Sequence, residues 1–239
     1  MNRVFLSDLH LDDPESYTFL RFRECLHTEA QRVDEIYILG DLVEMWIGDD
    51  DSGPTANALR QTLISATKHC QILLMHGNRD FLFGEAFSRQ TGVTLIPDPY
   101  LTGDGILLSH GDGLCTDDEP YQALRATLRS EAWQQDILSK SLTERQAFGE
   151  ALRLQSRQSS ANKPSNIMDV NLQATTDLVH EYPGCSHFIH GHTHRPGVHN
   201  TANYQRIVTG AWERCGWICR QSNTHFSLEC FSTARHYGT

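Results

Sequence analysis

Seven side chains in this sequence are spaced to hold a pair of divalent cations: Asp8 and His10 in Asp-x-His, Asp41 and Asn78 each after a glycine, a lone His110, and His192 and His194 in His-x-His. At a strand end, two ligands on alternate positions point to one face, so each pair can serve a single site. Asp41 is the natural bridge, because a carboxylate with two oxygens can span two cations. A set of carboxylate, amide oxygen and imidazole without thiolate suits Mn²⁺, Fe²⁺ or Mg²⁺ better than a structural zinc. Two such ions about 3.5–4 Å apart would activate a bridging water and clamp the oxygens of a phosphoryl group during in-line displacement. A single Asp-x-His or His-x-His is more often a pair of surface polar residues, so the joint occurrence is what points to a site. His76, His187 and His190 are read as structural, His76 as a loop residue that orients its neighbours.

Each ligand segment follows a short β-rich apolar run, at residues 4–6, 36–39, 72–75, 106–108 and 188–189. Helical candidates at 17–30 and 55–70 separate the first three runs, giving β-α-β-α-β with the strands sheltered on both faces. Ligands in open α/β sheets collect at the carboxyl ends of strands, so all the segments deliver their polar residues to one rim. The stretch 118–163 has a mainly helical pattern and is read as a cap inserted into a single domain spanning 1–239. Trp133, Ile137, Leu138 and Leu142 form an apolar stripe in it, suited equally to the cap's own packing and to an interface. The stretch 207–239 reads as further strands, in which Trp212 and Trp217 serve packing, and no chemistry is assigned to it.

A chain of 239 residues can bury a substantial core. Its 30 acidic against 20 basic side chains repel a nucleic-acid backbone, so no such partner is expected. The cap is different, with seven basic and six acidic side chains, which leaves the excess negative charge on the body. An acidic residue at position 8 precedes any apolar run fit for a signal peptide, and no stretch approaches the roughly 20 apolar residues of a membrane span. Any membrane contact is therefore expected to be peripheral. Seven cysteines at irregular spacings suit free thiols in a reducing cytosol. A monomer is expected.

The set Asp8-Leu9-His10, Gly40-Asp41, Gly77-Asn78, His110 and Gly191-His192-Thr193-His194 resembles the calcineurin-like metallophosphoesterase superfamily, in that family's order. The resemblance implies a β-sandwich flanked by helices with two metals at its rim. One metal would take Asp8, His10, Asp41 and His194, the other Asp41, Asn78, His110 and His192. Over nearly the whole chain the sequence is also similar to the bacterial UDP-2,3-diacylglucosamine pyrophosphatases of lipid A synthesis. The segments that carry this are Gly40-Asp41-Leu42-Val43-Glu44-Met45-Trp46-Ile47-Gly48-Asp49-Asp50, His76-Gly77-Asn78-Arg79-Asp80-Phe81, His110-Gly111-Asp112-Gly113-Leu114-Cys115-Thr116-Asp117-Asp118 and Ile167-Met168-Asp169-Val170-Asn171. This family implies hydrolysis of UDP-2,3-diacylglucosamine to 2,3-diacylglucosamine 1-phosphate and UMP by metal-activated water, with two Mn²⁺ per chain. It also implies peripheral attachment at the cytoplasmic face of the bacterial inner membrane, against an anionic lipid surface. Substrate contacts implied by it are Asn78, Arg79, Asp118, Ser156, Ser160, Lys163 and His192.

Many relatives of the wider superfamily carry histidine where this chain has Arg79. Arginine is no general acid, but splitting a pyrophosphate expels an already stable phosphate monoester, for which a fixed cation suffices. The chain departs from the pyrophosphatases at Ser160, often asparagine there, and in a more polar cap between Glu131 and Gln146. Two other functions fit the same ligands: hydrolysis of a soluble nucleotide sugar or phosphodiester, and a non-catalytic metal-binding scaffold. An apolar pocket beside the metals would favour the lipid substrate, a short polar cleft the soluble ones.

Overall fold

The computed structural model describes residues 1–162 and 167–238, with the side chains of 159–162 outside the description. Among the described residues eleven strands form two sheets. In the first, β1 (Asn2–Leu6), β2 (Glu35–Leu39), β3 (Gln71–Met75) and β4 (Thr94–Ile96) run parallel, and β10 (Cys215–Ser222) and β11 (His225–Ser232) add an antiparallel hairpin beside β1. In the second, β6 (Ile106–Ser109), β7 (His187–His190) and β9 (Gln205–Val208) are parallel, flanked by antiparallel β5 (Tyr100–Leu101) and β8 (Gly197–Asn200).

The apolar runs are continuous because both faces of the first sheet are buried. Val4, Leu6, Ile36, Ile38, Ile72 and Leu74 face one side, where they pack under α1 (Tyr17–Ala30), α2 (Pro54–Ala66) and α3 (Glu85–Thr91). The alternate residues Phe5, Tyr37, Leu39, Leu73 and Met75 face Ile106, Leu108, Ile189 and Ile207 of the second sheet. The outer face of that sheet, with Leu107 and Phe188, is closed by Val179 of α7 (Leu172–His180) together with Leu114 and Val170. The result is a β-sandwich flanked by helices, as the resemblance implies, rather than one open sheet.

Helix α2 stops at Ala66, short of the expected residue 70. There the Thr67 hydroxyl donates to Thr91 O at 2.8 Å, tying the chain to the end of α3 instead of prolonging α2. Between β6 and α7 lie α4 (Glu119–Leu128), α5 (Glu131–Leu138) and α6 (Leu142–Asn162). These cap helices touch the body at a few points. Trp133 packs on Phe148 and on Phe81 of the body, with ring centroids 5.4 and 6.0 Å apart. Arg145 pairs with Asp50 and donates to Ile47 O at 2.7 Å, and Arg129 donates to Gly77 O at 2.8 Å. The apolar stripe divides: Ile137 is buried and Leu138 exposed. Among the described residues no helix is long and apolar enough to cross a membrane.

Candidate metal centre

Beyond the strand ends the loops after β1 and β2 stay paired, through Asp8 N to Gly40 O (3.1 Å) and His10 N to Asp41 O (3.0 Å). The chain turns sharply there. Among the described residues, six other than glycine adopt a left-handed backbone, and five of them are Asp8, His10, Asp41, His192 and His194. Such a conformation costs on the order of 1–3 kcal/mol per residue and persists where surrounding structure enforces it, typically at functional sites. The glycines of the Gly-Asp and Gly-Asn pairs are required by close approach. A Cβ on Gly40 would lie 2.5 Å from Gly77 N, and one on Gly77 would lie 2.2 Å from Asp41 Oδ1.

The ligand atoms of Asp8, His10 and His194 lie within 4.8 Å of one another, and so do those of Asp8, Asp41 and His110. Asp41 stands between two histidines, its Oδ2 3.9 Å from His10 Nε2 and its Oδ1 3.7 Å from His110 Nε2. Asn78 Oδ1 is 3.0 Å from His110 Nε2, and the His192 ring sits 5.1 Å from that of His110. The seven residues are thus gathered from both sheets into one cluster.

Several contacts aim these ligands. His110 Nδ1 lies 2.8 Å from Leu39 O, and a proton held there leaves the lone pair of Nε2 facing the cluster. Asp8 Oδ2 accepts from His192 N at 2.9 Å and from the Ser7 hydroxyl, itself 2.6 Å from Thr209 Oγ1. Asp8 Oδ1 is left buried without a hydrogen-bond partner, facing the histidines. Two buried carboxylates, an orphaned carboxylate oxygen and imidazoles held with one nitrogen inward fit divalent cations.

Charge in the metal-free cluster is strongly coupled. Burial disfavours the His110 cation, yet Asp41, Asp112 and Asp8 override it and push the imidazole up to about 9. Burial and the neighbouring His110 charge push His192 down to about 4. Burial opposes the Asp8 charge, but the close approach of His194 and the charges of His110, His194 and His10 hold its carboxyl well below the usual range.

Four supports are not legible in the ligand pattern. Asp80 is wholly buried and accepts from Gly77 N (2.7 Å), Leu42 N (2.7 Å) and Asp41 N (3.3 Å), clamping the Asp41 loop to the Asn78 loop. Burial and the adjacent Asp41 raise its carboxyl to about 6. Ser7 and Thr209 fix Asp8, and Thr209 belongs to the C-terminal stretch to which no chemistry was assigned. Asp112 accepts from Tyr121 Oη and Arg125 Nε, both at 2.8 Å, and the Tyr121 ring stacks on His192 at 6.0 Å. Glu44 lies against His10.

Of the residues expected to touch substrate, Arg79 and Ser156 meet, with Nη2 donating to Oγ at 3.4 Å, while Arg79 Nε is buried and unpartnered. Asp118 is the buried N-cap of α4 and accepts from Tyr121 N at 3.2 Å. The Ser160 side chain and Lys163 lie outside the described residues. His76 Nε2 is 2.8 Å from Phe83 O, His190 is buried with Nδ1 3.0 Å from Gly191 O, and His187 stacks on Phe226 at 3.9 Å. Trp212 is buried, its backbone N–H donating to Asp8 O at 2.9 Å and its indole N–H to Trp217 O at 3.0 Å. Beside Asn78 and Arg79, a cavity of about 50 Å³ opens between body and cap, walled by Phe81, Trp133, Ile137, Phe148 and Leu152.

A family model described as calcineurin-like phosphoesterase matches residues 1–196. The UDP-2,3-diacylglucosamine hydrolase of Aromatoleum aromaticum is 45% identical over 203 residues, which is 83% of this chain and 82% of that protein. Its namesake from Shewanella loihica is 41% identical over 233 residues, 95% of each chain. Among solved structures, an archaeal phosphodiesterase superposes with a TM-score of 0.54, covering 97% of this chain and 100% of its own; at 11% identity the likeness concerns the fold.

Proposed function

Because the chain belongs to the calcineurin-like phosphoesterases and, among them, to the UDP-2,3-diacylglucosamine hydrolase family, we propose that it hydrolyses the pyrophosphate bond of UDP-2,3-diacylglucosamine. The products are 2,3-diacylglucosamine 1-phosphate and UMP. The observation that carries the choice of substrate is the apolar cavity between body and cap, directly beside Asn78 and Arg79. Its apolar walls adjoin those two polar side chains, so the first methylenes of an acyl chain can meet the walls while Arg79 meets the phosphate, a contact that a soluble nucleotide sugar lacks.

Asp8, His10, Asp41 and His194 would hold one Mn²⁺, and Asp41, Asn78, His110 and His192 the other. Bound there, such ions would lower the pKa of a water and neutralise the diphosphate oxygens. The protein's own part is orientation. Arg79, whose backbone N–H donates to Asp41 Oδ1 at 2.8 Å, offers its buried, unpartnered Nε to an anionic oxygen. As a permanent cation it stabilises the departing phosphate without giving up a proton. Asp118, Ser156, Ser160 and Lys163 would supply further substrate contacts. The enzyme works as a monomer docked on the anionic cytoplasmic face of the inner membrane, where its lipid substrate resides.

UMP release from UDP-2,3-diacylglucosamine and from UDP-N-acetylglucosamine tests this directly. Each methylene transferred from water is worth about 0.8 kcal/mol, so kcat/KM should favour the acylated substrate by roughly tenfold for every two methylenes enclosed. Equal rates on both would overturn the lipid assignment.

A further inference from the structure

We infer that Glu44 is a positioning residue for His10 and couples that ligand to the docking of cap helix α6. This rests on the metal-binding reading above. Glu44 follows β2 on the body, three residues beyond Asp41, with its side chain only 13% exposed. Its Oε2 lies 3.2 Å from His10 Nδ1, while His10 Nε2 points the other way, 3.2 Å from His194 Nε2 and 3.9 Å from Asp41 Oδ2. A carboxylate against Nδ1 selects the tautomer whose Nε2 lone pair faces the cluster, as carboxylates commonly do for metal-binding histidines.

The second oxygen of Glu44 faces the cap. Oε1 lies 2.5 Å from Arg153 Nε and 3.9 Å from Arg157 Nη2, both on α6, and Arg153 Nη2 also reaches Asp12 at 3.8 Å. One carboxylate therefore spans the junction between body and cap, with one oxygen at ion-pair distance from a candidate ligand and the other at ion-pair distance from the cap. If α6 lifts, Glu44 is no longer pinned against His10. By linkage, a cation held by His10 must in turn favour the docked cap.

The test uses metal-free full-length protein titrated with Mn²⁺, read by calorimetry and by hydrogen exchange of α6 with and without the metal. Two Mn²⁺ should bind the wild type, and Glu44→Gln should weaken one of them about 10–100-fold while sparing the other. Arg153→Met should weaken the same ion, and the double variant should be no worse than Glu44→Gln alone. The sign for Arg153 is decisive, since removing a nearby cation would strengthen Mn²⁺ binding if bare electrostatics ruled. Mn²⁺ should slow exchange around Arg153 in the wild type and leave it unchanged in Glu44→Gln. Tighter or unaltered Mn²⁺ binding in Arg153→Met, or equal protection of α6 in both proteins, would overturn the coupling. Failure of the wild type to bind Mn²⁺ at all would instead overturn the metal reading beneath it.

Discussion

Asp80 is not among the seven candidate ligands, yet its carboxylate accepts three backbone N–H groups from two ligand loops. Replacing it with alanine leaves those buried donors unpaired, each worth about 1–3 kcal/mol. Asp80→Ala is expected to lower the metal-free melting temperature and to weaken Mn²⁺ binding by about 10–100-fold, measured by thermal unfolding and calorimetry. His110 gives a pH dependence of opposite sense for folding and for binding. Its imidazole is raised from 6.5 to about 9 in the metal-free protein, so its contribution to stability is complete below pH 6.5 and is lost as pH rises through 9. Metal must displace that proton, so apparent Mn²⁺ affinity should rise about tenfold per pH unit across the same interval. A flat affinity from pH 6.5 to 9 would contradict this. The candidate ligands were legible in the sequence as a set that the fold gathers, because their residue types and strand-end positions already suggest one chemistry. Asp80, Ser7 and Glu44 were not, because an acid or a hydroxyl acquires its role only from the backbone or ring that folding brings to it.

At the level of elements, β1, β2, β3, β6 and β7 announced themselves as unbroken apolar runs, a direct consequence of burial on both faces, while the three-residue parallel strand β4 was too short to stand out. Their assignment to two sheets was not visible in those runs, since β3 and β6 read alike and only the family resemblance separated them. What divides them in the structure is the face each run shares: Leu73 and Met75 meet Ile106 and Leu108 across the sandwich rather than along one sheet. The hairpin of β10 and β11 was seen only in fragments, because one side of β11 is partly open to solvent and its pattern is diluted by His225, Ser227 and Glu229. The polar composition of the cap between Glu131 and Gln146 also misleads if taken alone, for Trp133 and Ile137 line the cavity while Glu131, Gln135, Asp136 and Gln146 are exposed. Trp133→Ala is accordingly expected to raise KM for the acylated substrate about tenfold or more with little change for a deacylated analogue, as steady-state kinetics on the pair would read. A uniform loss on both substrates would assign Trp133 to cap stability instead.

For the molecule as a whole, the metal cluster joins loops from both sheets, so cation binding and folding must be linked. Saturation at about 100 times the dissociation constant adds about 2.7 kcal/mol, which raises the melting temperature of a domain this size by roughly 5–10 °C. Chelation should remove that increment reversibly, and scanning calorimetry with and without Mn²⁺ checks it. The charge distribution legible in the sequence, an acidic body under a nearly neutral cap, is what supports the proposed docking of the cap on an anionic surface. The central claim, that Asp41 and its neighbours use metal to break a lipid-linked pyrophosphate, is met most directly by measuring UMP release from UDP-2,3-diacylglucosamine with Mn²⁺, after chelation, and with Asp41→Ala. The account predicts rapid release by the Mn²⁺-loaded wild type and a fall of at least about 10³-fold in the other two, the scale expected when electrostatic stabilisation of the transition state is lost. Undiminished release from chelated enzyme or from Asp41→Ala would contradict it.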